Sequence, residues 1–230
     1  MILRSKPQYL MAFLVLLALV ALLALGGCRL FQETSGFDPR YLATTEVRMW
    51  QAYYGKSKVK LAWLLVRVLH REFDISYWEA VWTGKLLASA AMKFKTAKPG
   101  HYDTALPDLV AAYTRLKKCS GKTYDPAEAA RAELAWWVAR RTPGKNDPET
   151  VGKGIGHLYE VIYGYHHPEL VRAGLLRAEA AHVRDQGGKN CDWKKVEELL
   201  LESYRALQIG MENRPEHSPD ARNGTAAEAD

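Results

Sequence analysis

Three groups of side chains in this 230-residue chain could do chemistry, namely histidines, cysteines and paired acids. The seven histidines include one adjacent pair, His166 and His167, and none has the His-x-x-x-His or His-Glu-x-x-His spacing that suits zinc on a helix. The sequence also lacks a Cys-x-x-Cys-His motif for covalent haem and a Gly-x-Ser-x-Gly motif for a nucleophilic serine. We therefore predict no metal site, no cofactor and no enzymatic activity.

The remaining acidic and glycine-rich patterns have structural explanations. Glu197, Glu198 and Glu202 stand near lysines at helical spacing, which is typical of a solvated helix face. The run Gly152-Lys-Gly154-Ile-Gly156 follows no strand and lies within a segment of helical period, so it does not fit a phosphate-binding loop. We expect these glycines to allow close packing between helices.

Two cysteines, Cys119 and Cys191, each stand beside a turn signal, Ser120-Gly121 and Gly187-Gly188 respectively. In an oxidising compartment a disulfide between them would close a long loop, which the chain-entropy model values at about 4 kcal/mol. Two separate thiols are the alternative, because the spacing does not show that the sulfurs meet. No Cys-x-x-Cys motif indicates a redox or metal role.

The third cysteine, Cys28, follows a segment that predicts the compartment. Arg4 and Lys6 precede an unbroken apolar run of 15 residues, Met11–Leu25, which ends at two glycines. A basic start, a short apolar run and small residues are typical of a secretory signal. The alternative is an uncleaved anchor, but a spanning helix needs about 20 apolar residues. The residues Leu25-Gly26-Gly27-Cys28 resemble the bacterial lipobox, in which lipoprotein signal peptidase cuts before the cysteine.

This resemblance implies an address and an anchor. Residues 1–27 would be the signal peptide, cleaved between Gly27 and Cys28, and residues 28–38 a lipidated tether. A lipobox cysteine carries a diacylglycerol thioether and often an amide-linked acyl chain such as palmitate, and two or more chains anchor a protein stably. Arg29 stands where many Gram-negative lipoproteins of the inner membrane have aspartate. By analogy we expect the outer membrane, facing the periplasm.

The segments that follow the tether all have helical spacing, and no alternating run of β-branched residues indicates a strand. We predict an all-α domain over residues 39–211 and a disordered tail over residues 212–230. About eight helices are expected: Tyr41–Tyr54, Val59–Phe73, one after Ser76, one with Pro107 in its first turn, and four more that begin at Pro126, Pro148, Pro168 and Trp193.

Three of these helices repeat one pattern. Residues spaced i, i+3, i+7, i+10 recur as Tyr102/Ala105/Leu109/Ala112, Val151/Gly154/Leu158/Val161 and Trp193/Val196/Leu200/Ser203. Small residues in the preceding helices (Ala88/Ala91, Ala135/Ala139 and Ala173/Ala180) are expected at the helix contacts. The pattern resembles tetratricopeptide-like hairpins stacked into a short solenoid, although the period exceeds the 34 residues of that family. A generic orthogonal helical bundle is the alternative.

Aromatic residues supply the candidate binding groove. They recur in the middle helices as Trp78, Trp82, Trp136, Trp137, Tyr159 and Tyr163. Burial in the core explains most of them, but Trp136 and Trp137 point about 100° apart on a helix, so we do not expect equal burial. Aromatic side chains in a groove favour peptide or protein binding.

Clusters of basic residues could lie in solvent or contact a membrane surface. The net charge of +6 comes with lysine clusters such as Lys56/Lys58/Lys60 and Lys93/Lys95/Lys98. These clusters fit solvated helix ends, or contacts with anionic lipid headgroups. We do not expect a nucleic-acid partner, because the predicted signal peptide would export the protein.

Together these features predict a lipid-anchored envelope protein that acts as a non-catalytic interaction or scaffold module with an envelope protein partner. The alternatives are a carrier of small lipophilic molecules with an aromatic-lined cavity and, less well supported, a cell-wall enzyme.

The anchor is directly testable. Replacing Cys28→Ala removes the thiol that would receive the diacylglycerol, so lipid labelling should disappear and an unprocessed precursor should accumulate. Metabolic labelling with palmitate, followed by electrophoresis of the purified chain, measures both effects. Unchanged labelling in the variant would refute the lipobox assignment.

Overall fold

A computed structural model describes residues 37–120 and 122–214 of the chain. These ranges form eight α-helices: α1 Pro39–Tyr54, α2 Lys58–Glu72, α3 Tyr77–Thr96, α4 Leu106–Ser120, α5 Pro126–Arg141, α6 Pro148–Tyr163, α7 Pro168–Gly187 and α8 Trp193–Glu212. The described ranges contain no strand, so the all-α prediction is confirmed. The proposed signal peptide, Cys28 and the tail beyond residue 214 lie outside the described residues.

Short polar side chains begin the helices, and α1 starts at Pro39, two residues before the predicted Tyr41. Asp38 accepts hydrogen bonds from the backbone N–H groups of Arg40 and Tyr41 at 3.0 and 3.1 Å, and Asp147 accepts one from Thr150 at 2.8 Å. Each of these aspartates is followed by a proline, whose fixed φ suits the first turn and whose missing N–H is not needed there. The caps therefore set where the helices start.

Within each of two compact units, helices pack against their neighbours in sequence, which is the arrangement of stacked helical hairpins. The described residues fall into two compact units, residues 37–120 with α1 to α4 and residues 122–214 with α5 to α8. None of the eight helices combines the length and the apolar character that crossing a bilayer requires.

All four helices of the first unit contribute buried residues to its core. Leu109 and Ala112 of α4, together with Ala105 in the 3₁₀ helix Tyr102–Ala105 that precedes it, are three members of the predicted repeated face and are fully buried. Two ion pairs join α3 to α4 at the edge of this core: Lys93 to Asp108 at 2.8 Å and Arg115 to Glu79 at 2.7 Å. The bond to Lys93 holds the pKa of Asp108 below its usual value.

The aromatic row of α3 changes environment along the helix. The row consists of residues four positions apart. Its first members, Trp78 and Trp82, are exposed, and its last members, Ala90 and Phe94, are buried. Four residues turn a helix by about 400°, so each step moves the row about 40° around the axis. The row therefore begins on the solvent side and ends in the core, which leaves two tryptophans uncovered.

Glycines set the core of the second unit. A methyl group added at Gly152 would lie 2.6 Å from the Cα of Leu175, and one added at Gly156 would lie 2.8 Å from the Cα of Val171. A methyl group at Gly174 would overlap the backbone of both α6 glycines. The expectation that this glycine run packs helices closely is confirmed, because a Cβ atom at any of these three positions would force α6 and α7 apart.

The predicted alanine contacts are only partly correct. Ala173 and Ala180 are fully buried in α7, and the side chain of Ser203 donates a 2.7 Å hydrogen bond to the carbonyl of Ala173. Ala88, Ala91 and Ala135 are exposed, so the prediction was wrong for them. Instead, Ala80, Thr83 and Gly84 form the buried side of α3. A small side chain permits close packing, but it does not determine which face of a helix is packed.

Substitution Gly174→Ala should destabilise the second unit by about 3 kcal/mol or more, because the new methyl group meets backbone atoms that no rotamer change can move. Calorimetric or chemical unfolding measures the loss. Gly84→Ala is the matched control: it is also a buried mid-helix glycine, but the added methyl would lie 3.6 Å from its nearest neighbour, the side chain of Leu65. That change should be neutral or stabilise by up to about 1 kcal/mol through helix propensity. Equal effects of the two substitutions would contradict the glycine contact.

Candidate functional site

The six aromatic residues expected at a binding groove are divided between the two units. Trp78 and Trp82 lie on α3 of the first unit. The other four lie in the second unit, with Trp136 and Trp137 on α5 and Tyr159 and Tyr163 on α6. The structure therefore presents two aromatic regions of different character.

The first region, which we call the α2–α3 surface, consists of Trp63 on α2 and Tyr77, Trp78, Val81 and Trp82 on α3. Its side chains are unusually open, with Trp78 65%, Trp63 56% and Tyr77 50% exposed. The rings of Trp63 and Tyr77 are parallel with centroids 6.3 Å apart, and those of Trp78 and Trp82 meet edge to face at 5.6 Å. The contact between Trp63 and Tyr77 thus connects the exposed side chains of α2 with those of α3.

The turn between α2 and α3 positions Tyr77. His70 Nδ1 lies 2.5 Å from the carbonyl oxygen of the buried Ile75, and the His70 ring stacks on Tyr77 with centroids 3.9 Å apart. Asp74 takes a left-handed conformation with φ of 49°, which aspartate adopts more readily than most residues. Ser76 then caps α3 by accepting a hydrogen bond from the Glu79 N–H. This turn therefore fixes the tyrosine next to Trp63.

The charged residues of α2 and α3 are mostly basic. Residues 58–96 contain seven Lys and Arg residues against three Asp and Glu, and two of these cations are ion-paired elsewhere, Arg71 with Asp38 and Lys93 with Asp108. Lys85 Nζ lies 4.8 Å from the centroid of the Trp82 ring, where a cation is attracted to the face of the indole. Lys60 and Arg67 on α2 are exposed, whereas the acid Glu79 is ion-paired with Arg115. The face thus combines aromatic rings with positive charge.

The second region is centred on the Trp136–Trp137 pair. Glu133, one turn earlier on α5, accepts hydrogen bonds from both indole N–H groups, at 3.2 Å from Trp136 and 2.8 Å from Trp137. The rings meet at 84° with centroids 6.1 Å apart, and both side chains are half-buried. One carboxylate therefore restrains two adjacent tryptophans.

Trp136 and Tyr159 continue into the packing of the second unit. Both rest against a buried cluster of Val151, Ile155 and Ala178. Tyr163 lies further along α6, where Lys122 Nζ is 4.7 Å from its ring centroid. These aromatic side chains are held by neighbours and do not form an open face like that of the first unit.

Four residues of these regions were not singled out from the sequence, namely Trp63, Tyr77, Val81 and Glu133. Trp63 could have been found, because it is a large apolar residue on the opposite side of its helix from the apolar face that the spacing predicts, which consists of Leu61, Leu64, Leu65, Val68 and Leu69. Glu133 stands three and four residues before the tryptophans, the spacing at which helix side chains meet. Tyr77 has no such signal, since its position depends on the turn.

The two cysteines lie in different units. Cys119 is at the end of α4 in the first unit and Cys191 precedes α8 in the second, and both side chains are half-buried. Burial raises the pKa of each thiol, which lowers the thiolate fraction at neutral pH. The disulfide between them stays a prediction.

A shallow recess of about 380 Å³ lies beside the start of α6 and the middle of α7, lined by Pro148, Glu149, Arg172, Leu175, Leu176 and Glu179. Its lining contains no aromatic residue. Within residues 37–120 and 122–214 no three His, Cys, Asp or Glu side chains form a group that could hold a metal ion.

Comparison of the chain with protein-family models, curated proteins and solved structures gives no match. The function must therefore be argued from the two aromatic regions and from the N-terminal sequence.

The role of Glu133 can be tested by substitution. Glu133→Ala removes the acceptor of both indole N–H groups and should lower the free energy of unfolding by roughly 1–2 kcal/mol. Tryptophan emission should shift to longer wavelength as the indoles become mobile and hydrated. Glu133→Gln, which keeps one carbonyl acceptor, should show a smaller loss. Wild-type stability and emission in Glu133→Ala would show that the carboxylate does not restrain the pair.

Proposed function

We propose that the protein is a lipid-anchored lipoprotein of the bacterial envelope that acts as a non-catalytic protein–protein interaction module. Attachment through Cys28 is supported by the basic start, the 15-residue apolar run and the lipobox-like end of the N-terminal segment. Partner binding is assigned to the Trp136–Trp137 pair of the second unit. The compartment proposed is the periplasmic face of the outer membrane.

The observation that carries the proposal is the sharing of Glu133 by the two indoles. Tryptophan contributes heavily at protein interfaces because its ring offers a large apolar area together with an N–H donor. An exposed side chain normally loses rotamer freedom when a partner binds. The two hydrogen bonds to Glu133 restrict Trp136 and Trp137 beforehand, so less entropy is lost on binding.

The packing beneath the pair supports the same assignment. A methyl group on Gly154 of α6 would lie 2.9 Å from the Cβ of Trp136, so α5 crosses α6 closely at this point. The guanidinium of Arg177 on α7 lies 5.7 Å from the centroid of the Trp136 ring. Trp136 is thus fixed by three helices, and Trp137 is presented from a rigid base. For this reason we propose that the partner binds at Trp137.

Stacked helical hairpins suit this role. Hairpin arrays, including the tetratricopeptide-like repeats that the sequence resembles, form surfaces on which a partner can lie. The recess beside α6 and α7 is within the size range of small-molecule sites, but its rim carries three charged residues. The carrier alternative is therefore less well supported than protein binding.

Site-specific photo-crosslinking in the full-length chain tests the partner surface. A photoreactive amino acid at position 137 should give one discrete protein adduct in intact cells. The matched control places the same group at position 194, an exposed site on α8, where no such adduct should form. In a second series the photoreactive group is placed at position 134, which leaves both tryptophans in the chain. Adding Glu133→Gln, once its stability has been checked, should lower the adduct yield at position 134 by about fivefold, equivalent to roughly 1 kcal/mol.

Two results would overturn this function. Equal adducts from positions 137 and 194 would show that the pair has no special role. Recovery of a lipophilic ligand with no protein adduct from either position would favour the carrier alternative.

A further inference from the structure

We propose that the α2–α3 surface of the first unit lies against an anionic phospholipid bilayer, in the headgroup region. The inference rests on the proposed function only for the nearness of the membrane, which the Cys28 anchor would provide. It adds a second, non-covalent membrane contact made by the folded domain. It also assigns different roles to the two aromatic regions.

The first argument is the geometry of the face. On α3, Tyr77, Trp78, Val81, Trp82 and Lys85 fall within an arc of about 140° at 100° per residue. On α2, Trp63 follows Val59 by one turn, and Val59 is 85% exposed. The stacked rings of Trp63 and Tyr77 join the two helices. The result is a broad, continuous apolar patch on a folded hairpin, and such patches mark protein or membrane contacts.

The second argument is the chemistry of the side chains. Tryptophan and tyrosine are enriched at the membrane–water interface, because each combines an apolar ring with a polar group that stays hydrated. Here three tryptophans and a tyrosine occupy the same face. Lysine and arginine at the edge of such a face can extend their charges toward phosphates while their stems cover apolar surface. Lys60, Arg67 and Lys85 stand in these positions.

Charge complementarity selects an anionic surface. The exposed arcs of α2 and α3 contain these cations, whereas the acid of α3, Glu79, is half-buried and ion-paired with Arg115. Each Lys or Arg near an anionic leaflet strengthens binding, and the effect falls off within about a Debye length. A basic and aromatic face therefore gains both electrostatic attraction and burial of its rings.

The length of the tether makes the contact feasible. Nine residues, 29–37, separate Cys28 from Asp38, which caps α1. At 3.3–3.6 Å per residue a fully extended tether spans about 30 Å. A lipidated Cys28 would hold the first unit within this distance of the bilayer, where a weak surface contact becomes an intramolecular event at high effective concentration.

Fluorescence quenching in proteoliposomes tests the contact with the full-length chain. The chain is reconstituted into phosphatidylcholine vesicles, or into equimolar phosphatidylcholine and phosphatidylglycerol, with lipids brominated near the headgroup. Tryptophan quenching should be at least about twofold greater in the anionic vesicles. Because quenching acts only at short range, tethering alone does not produce it.

Substitutions identify the residues responsible. Trp78→Phe with Trp82→Phe keeps the ring surface but removes two of the three reporters on this face, so the quenching should fall to the part contributed by Trp63. Trp136→Phe with Trp137→Phe is the matched control and should retain it. Lys60→Gln with Lys85→Gln should return the quenching to the level of neutral vesicles, whereas Lys194→Gln with Lys195→Gln on α8 should not.

Several results would overturn the proposal: equal quenching in neutral and anionic vesicles, quenching unchanged by the Trp78/Trp82 substitutions, or no quenching at all. A photoreactive group at position 82 that forms protein adducts and no lipid adducts would assign the surface to a protein instead. Palmitate labelling of Cys28 is read separately. Labelling without quenching therefore contradicts this inference alone, and quenching without labelling contradicts the proposed anchor alone.

Discussion

The backbones of α6 and α7 approach each other at Gly152, Gly156 and Gly174, more closely than any residue with a Cβ atom allows. Much of the second unit depends on this contact. Two of the α6 glycines face α7, and the one between them, Gly154, faces α5 at Trp136. Because successive glycines two residues apart point about 200° around a helix, one short run can bring α6 close to both neighbours. Trp136 then packs against the buried cluster around Ile155, and Glu133 accepts a hydrogen bond from each indole N–H group.

The two units use the same residue types in different ways. In the second unit, tryptophans are half-buried, bonded to a carboxylate and supported by tight helix packing. In the first unit, tryptophans project from the start of α3 beside lysines, and their main contacts are with other exposed rings. A restrained, partly covered aromatic pair suits specific recognition of a protein. An open aromatic face with positive charge suits a fluid lipid bilayer, which can bind without a fixed arrangement of contacts.

Local signals predicted the helices well because the physics of helix ends is local. An aspartate followed by proline favours a helix start through local contacts alone, and α5 and α6 begin in this way, as predicted. The same holds for the glycine run, whose helical period and lack of a preceding strand indicated packing. The aromatic regions were predicted less completely. Trp78, Trp82, Trp136 and Trp137 could be named, but Tyr77 is positioned by the His70–Ile75 turn and Trp63 gains its role by stacking across two helices.

By itself, the sequence determined the all-α class, the order and starts of the helices, and an N-terminal segment that resembles a lipoprotein signal. Each of these depends on residues close together in the chain. Tertiary structure alone decided which side of α3 is buried, why Ala88 and Ala91 are exposed, and how the aromatic residues divide between two units. The reason is that a helix with apolar and small residues on several sides has no single preferred face. Only the neighbouring helix, through the space its own side chains leave, selects one.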